Sequence, residues 1–125
     1  KQQDEQAVDG SVTFHGMKYS LEKQSDGKTA VVRTSDSGTK SVLFEVEGTP
    51  TSLILFNDTI LVPENRDSGW DVVACALVDG SLPTLIADKD GKAVGGNGTI
   101  TAATLDGTTL KVTDSTGNTT SVALQ

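Results

Sequence analysis

The sequence predicts an all-β domain of antiparallel, hairpin-connected strands, and three observations carry that prediction. No segment holds a sustained apolar i, i+3, i+4 stripe, whereas short β-prone runs recur along the chain. Turn signals that supply a positive φ punctuate those runs: Ser25-Asp26-Gly27, Ser35-Asp36-Ser37-Gly38, Asn57-Asp58, Asp79-Gly80, Asp90-Gly91, Asn97-Gly98, Asp106-Gly107 and Gly117-Asn118. Pro50, Pro63 and Pro83 stand at run ends, where a missing N–H does least harm.

In chain order, the opening KQQDEQAVDG is largely polar and reads as a tether over residues 1–10, leaving 11–125 as one domain. A first unit reads as strands 11–15, 17–23, 29–34 and 40–47. Within it, SVLFEVE places Val42, Phe44 and Val46 on one face and Glu45 and Glu47 on the other. A second unit reads as strands 52–56, 59–63, 70–78 and 82–87. Its run WDVVACALV is apolar on both faces, which predicts a strand covered on both sides. Val73, Cys75 and Leu77 then face one layer, and Val72, Ala74 and Ala76 the other. A third unit reads as strands 99–104, 108–113 and 119–124, with no fourth run.

The units align. TLDGTTLKVTD (104–114) over TFHGMKYSLEK (13–23) sets Leu105 on Phe14, Gly107 on Gly16, Leu110 on Tyr19 and Val112 on Leu21. LFNDTILVPEN (55–65) over both sets Phe56 on Leu105 and Leu61 on Leu110. Phe14 to Phe56 is 42 residues and Phe56 to Leu105 is 49, a period suited to a repeat of four short strands. The last run, NTTSVAL, has a neighbour on one side and neither charge nor proline to blunt its edge. It is therefore expected to pair with 11–15, within the chain or across a two-fold dimer, burying Val12, Phe14 and Val122 together. Such closure would give a barrel- or sandwich-like body.

Composition bounds the function. Aromatic residues are 4%, so the core must be aliphatic. A net charge of −7 repels phosphate, which argues against nucleic acid and against an anionic membrane surface. The longest apolar run, Val72–Val78, is far too short for a membrane-spanning helix. With Cys75 as the single cysteine, no internal disulfide can form.

Residue types that carry chemistry are few. His15, the one histidine, falls at a hairpin position and reads as a turn residue. Cys75 lies in the most buried-looking strand, where a thiol is inert. Asp88 and Asp90 have the spacing of the first two ligands of a calcium loop, but Lys92, Ala93 and Thr99 occupy later positions where a ligand, glycine and glutamate belong. GGNG lacks the residues of a phosphate loop. Glu45 and Glu47 share one strand face and read as solvated, not as an acid–base pair across a cleft. No catalytic residue, metal ligand or cofactor is assigned. Trp70, beside Asp71 and close to Arg66, and Tyr19 are the two side chains expected to receive a ligand such as a sugar ring.

TSLILFNDTILVPENRDSGWDVVACALVDGSLPTLI resembles a β-propeller blade of secreted bacterial lipoproteins and TolB-like proteins, through Asn57-Asp58, Leu61-Val62, Val72–Leu77 and Asp79-Gly80-Ser81. The resemblance implies blade-like four-strand repeats and an extracytoplasmic, secreted or membrane-anchored place. Threefold alternatives are a β-trefoil, or the β-prism of monocot-type mannose lectins, whose sugar motif QSDGKTAVV matches at Gln24 and Asp26 alone. The expectation is a non-enzymatic binding or scaffolding module of a bacterial surface protein or lipoprotein, with a protein or glycan partner. The alternatives are a carbohydrate-binding module and, more remotely, a hydrolase using His15 as base.

Overall fold

Each β-prone run meets a turn that sends the chain back beside itself, and the result is three antiparallel sheets. The structure, a computed structural model, describes residues 5–6, 11–78, 80–88 and 90–124. The first sheet contains β1 (Glu5–Gln6), β2 (Val12–Phe14), β3 (Met17–Lys23), β4 (Thr29–Thr34) and β5 (Lys40–Val46), in that order. The second contains β6 (Thr49–Pro50), β7 (Ile54–Phe56), β8 (Thr59–Arg66), β9 (Gly69–Ala76), β10 (Thr84–Leu85) and β11 (Gly95–Gly96). The third is the meander β12 (Ile100–Asp106), β13 (Thr109–Asp114) and β14 (Thr119–Ala123). No helix occurs among the described residues.

Two turn designs do most of the folding. Phe14 pairs with Met17 across His15 and Gly16, both at positive φ (50° and 80°), a type I′ hairpin. Phe56 pairs with Thr59 across Asn57, at φ 53°. The other design spans five residues and occurs at 24–28, 35–39, 88–92 and 114–118. In each, the first N–H donates to the fifth carbonyl at 2.7–3.0 Å, and the N–H of a glycine at the fourth place donates back to the first carbonyl. Those glycines have φ between 82° and 91°, where a side chain would be strained.

Packing makes two cores. Val12, Tyr19, Val31, Phe44 and Val46 of the first sheet meet Leu53, Ile60, Val62 and Cys75 of the second. Ile54, Leu61, Trp70 and Val72 of the second, with Val94, meet Leu110, Val112 and Val122 of the third. The middle sheet thus sends alternate residues to opposite layers: Ile60 and Val62 one way, Leu61 the other. Along β9 and its extension, Val73, Cys75 and Leu77 pack on the first core, and Val72 and Ala74 on the second, as the apolar run predicts. The outward residues of the third sheet are Ala102, Thr104 and Asp106, then Thr109, Lys111 and Thr113, then Thr119, Ser121 and Ala123; none is a large apolar side chain.

Three expectations are corrected. Residues 11–15 do not pair with 119–124: Val12 and Thr13 are bonded on one side to Gln6 and Glu5 of β1 and on the other to Tyr19 and Lys18 of β3. Val12 and Val122 accordingly belong to different cores. Among the described residues no sheet closes into a barrel, as a β-trefoil would require, and the three sheets share two cores and not one, as a β-prism would require; the arrangement is compatible with a sandwich. The fourth strand of the second unit is also interrupted. β10 runs beside Ala74 and Val73, the chain makes an excursion through the 88–92 turn, and β11 resumes beside Asp71 and Trp70. The segment read as a tether contributes β1, and its other residues lie outside the described ones.

Candidate functional site

β7 pairs only with β8, and β12 only with β13, so each has one open side among the described residues. Between them lies a groove of about 470 Å³, lined by Ser52, Leu53, Ile54, Leu55, Ala103, Thr104 and Leu105. The lining residues are consecutive on both sides, so the walls are strand edges and not strand faces. Edges of this kind offer backbone N–H and C=O groups, and here the side chains between them are mainly aliphatic. The corresponding edge of the first sheet, β2, is covered by β1.

A second constellation lies at the far end of the β8–β9 hairpin, on the face toward the first sheet. Glu64 is 0% exposed. Its Oε1 accepts the Gly48 N–H at 2.8 Å and its Oε2 accepts Arg66 Nη1 at 3.0 Å. Asp71 is its cross-strand partner. Arg66 Nη1 reaches Asp71 Oδ2 at 3.8 Å, whereas Asp71 Oδ1 is buried with no donor unless a proton sits between the two carboxyl groups. Burial and the neighbouring Glu64 carboxylate push Asp71 up to about 7. Donors from Asp71, Gly48 and Arg66 outweigh burial at Glu64 and hold it below its ordinary value. The pair therefore titrates as a unit, holding one proton near neutrality. Gly48 is required here, because a Cβ would lie 2.5 Å from the Asn65 carbonyl oxygen.

The opposite face of the same hairpin ties the second sheet to the third. Asn65 Oδ1 accepts the Ile100 N–H at 2.7 Å, and Trp70 Nε1 donates to Asp114 Oδ2 at 3.4 Å. The Thr116 hydroxyl and two backbone N–H groups also bond Asp114 and keep its carboxyl below the ordinary range. Gly96 lies against the indole, where a Cβ would sit 2.8 Å from Trp70 Nε1. A Cβ at Gly95 would lie 2.6 Å from the Trp70 carbonyl oxygen, so both glycines of β11 are fixed by Trp70.

Trp70 is 3% exposed and Tyr19 is 4% exposed, each in a different core. The structure does not bring these two rings together, and both act as packing groups. His15 forms the I′ turn and stacks on Phe14 at 3.9 Å. Cys75 is buried, and burial pushes its thiol up. Asp88 Oδ1 accepts the N–H groups of Asp90 and Lys92, so that carboxylate serves its own turn. Glu45 and Glu47 are exposed, and Glu47 pairs with Lys28 at 3.6 Å.

Sequence reasoning did not find the Glu64–Asp71 pair, although a signal existed. Asp67-Ser68 is a two-residue loop, and the Arg66–Gly69 pairing it sets places position 64 opposite 71. The groove had no such signal, since it depends on how two sheets stack. Comparisons with protein-family models, with curated proteins and with solved structures find no match.

Proposed function

We propose that this chain is a non-enzymatic, extracytoplasmic binding or scaffolding module, and that its ligand is an extended polypeptide received between β7 and β12. The observation that carries the reading is the pair of open strand edges flanking one largely aliphatic groove. A peptide in extended form would bond its backbone to an edge and set alternate side chains among Leu53, Leu55 and Leu105. The non-enzymatic reading is supported by the uses already found for His15, Cys75, Asp88 and Glu64, each engaged in turn or core structure. The blade-like repeat is supported by three antiparallel sheets whose longest strands fall within the three sequence units. Its likeness to secreted bacterial lipoprotein blades supports the extracytoplasmic place.

A displayed peptide library and a glycan array, screened in parallel, test the reading. The expected result is enrichment of uncharged, alternating apolar peptides. Ser52→Arg and Ala103→Arg, which put charge at half-buried positions of the groove, should weaken them at least tenfold, or about 1.4 kcal/mol. Glycan binding that is indifferent to both variants would overturn it in favour of a carbohydrate-binding module.

A further inference from the structure

We propose that two copies of this chain associate through β14, which pairs antiparallel with its own counterpart about a two-fold axis at Ser121. The first support is the register. Asp114 N–H donates to Asn118, and Leu124 N–H to Thr108, which fixes the alternation along the β13–β14 ladder. Thr120 and Val122 spend their backbone groups on β13, and Thr119, Ser121 and Ala123 point theirs to the open side. These three residues are centred on Ser121, so a second β14 turned end for end meets them in kind: Ser121 with Ser121, Thr119 with Ala123.

The second support is that, among the described residues, β14 differs from the other open edges: β7 has three residues, and β12 carries Asp106 and a register shift between Ile100 and Ala102. β5 carries Lys40 and Glu45 and is distorted by a register shift at Val31/Val32. β6 and β10 have two residues each, with Pro50 in one and Pro83 before the other. β14 has five residues, no proline, no charge and no register shift. The third support is charge. In a chain of net charge −7, two copies need a neutral seam to approach each other, and β14 provides one. Thr120 and Val122 point toward the second core, so pairing would also lay each Val122 beside Thr120 of the second copy and continue that core's rim.

Sedimentation of the whole chain over a wide concentration range, with three variants, tests this. Wild type should shift from monomer to dimer as concentration rises. Ser121→Pro removes an N–H that points to the open side only, so it should keep the wild-type melting temperature and weaken association at least tenfold. Ser121→Cys should crosslink into a dimer on mild oxidation, because directly opposed residues have Cα atoms about 5.5 Å apart, inside disulfide range. Lys111→Cys, one strand further from the axis, should not crosslink. A wild type that stays monomeric at every concentration, a Ser121→Pro dimer of undiminished strength, or equal crosslinking at position 111 would each overturn the proposal.

Discussion

The middle and third sheets are both built of antiparallel hairpins, yet they use their faces differently. In the middle sheet both faces are covered, and Ile60, Leu61 and Val62 are successive buried residues facing alternate layers. In the third, Leu110 and Val112 are buried, and Lys111 between them is exposed. The middle sheet belongs to both cores, so a defect there reaches the whole body, whereas a defect in the third sheet is confined to one side.

Truncation sharpens this contrast most. Ile60→Ala and Leu61→Ala should each cost about 2–5 kcal/mol, one through the first core and one through the second. Val122→Ala, on the rim of the third sheet, should cost about 1.5 kcal/mol at about 0.8 kcal/mol per buried carbon. Urea denaturation of the three variants decides it, and equal losses would erase the distinction between the sheets. Cys75→Ser should cost roughly 1–3 kcal/mol by placing a hydroxyl in the first core. The native thiol should react with an aromatic disulfide reagent only after unfolding, and rapid labelling would place β9 at an accessible position.

Gly96→Ala probes the joint between the two sheets. Its Cβ would press on Trp70 Nε1, and overpacking of this kind costs about 1–3 kcal/mol, read as a lower urea midpoint with an unchanged slope. The carboxylate pair gives the smallest effect. Asp71 is raised above its ordinary value, so the folded state binds the extra proton, and its stabilisation is complete at low pH and lost as pH rises through about 7. Glu64, held below its ordinary value, contributes the opposite sign only at acid pH. Between about pH 4.5 and 7 wild type should therefore lose stability with a slope of at most about 1.4 kcal/mol per pH unit, levelling off above pH 7, and Asp71→Asn should flatten it. An unchanged slope in Asp71→Asn would assign the titration to another group.

The same contrast shows what can be read from the sequence. The strands of the first unit are legible almost to the residue, because Gly16, Gly27 and Gly38 mark the three turns between them. Double burial of Val72–Leu77 is legible, because continuous apolar character has no other use in a short strand. What escaped depends on contacts between distant segments. β1 is polar and pairs through its backbone. It takes the side of β2 that residues 119–124 were expected to take, since closing a loop of a few residues costs less entropy than closing one of about a hundred. β11 consists of two glycines, which carry no strand signal; a Cβ would meet the Trp70 carbonyl oxygen at Gly95 and the indole at Gly96. The expected strand 82–87 shrank to Thr84–Leu85, with Leu82 78% exposed and Pro83 without an N–H to donate.

Amide hydrogen exchange at low protein concentration shows whether the middle sheet holds both cores together. Amides of Ile60, Leu61, Val62, Val72 and Cys75 should exchange slowest, at the rate of global unfolding. On β14, Thr120 and Val122 should be slower than Thr119, Ser121 and Ala123, whose N–H groups face the open edge. Exchange of β8 and β9 as fast as that of β12–β14 would contradict it, and would mean that the two cores open independently of the sheet between them.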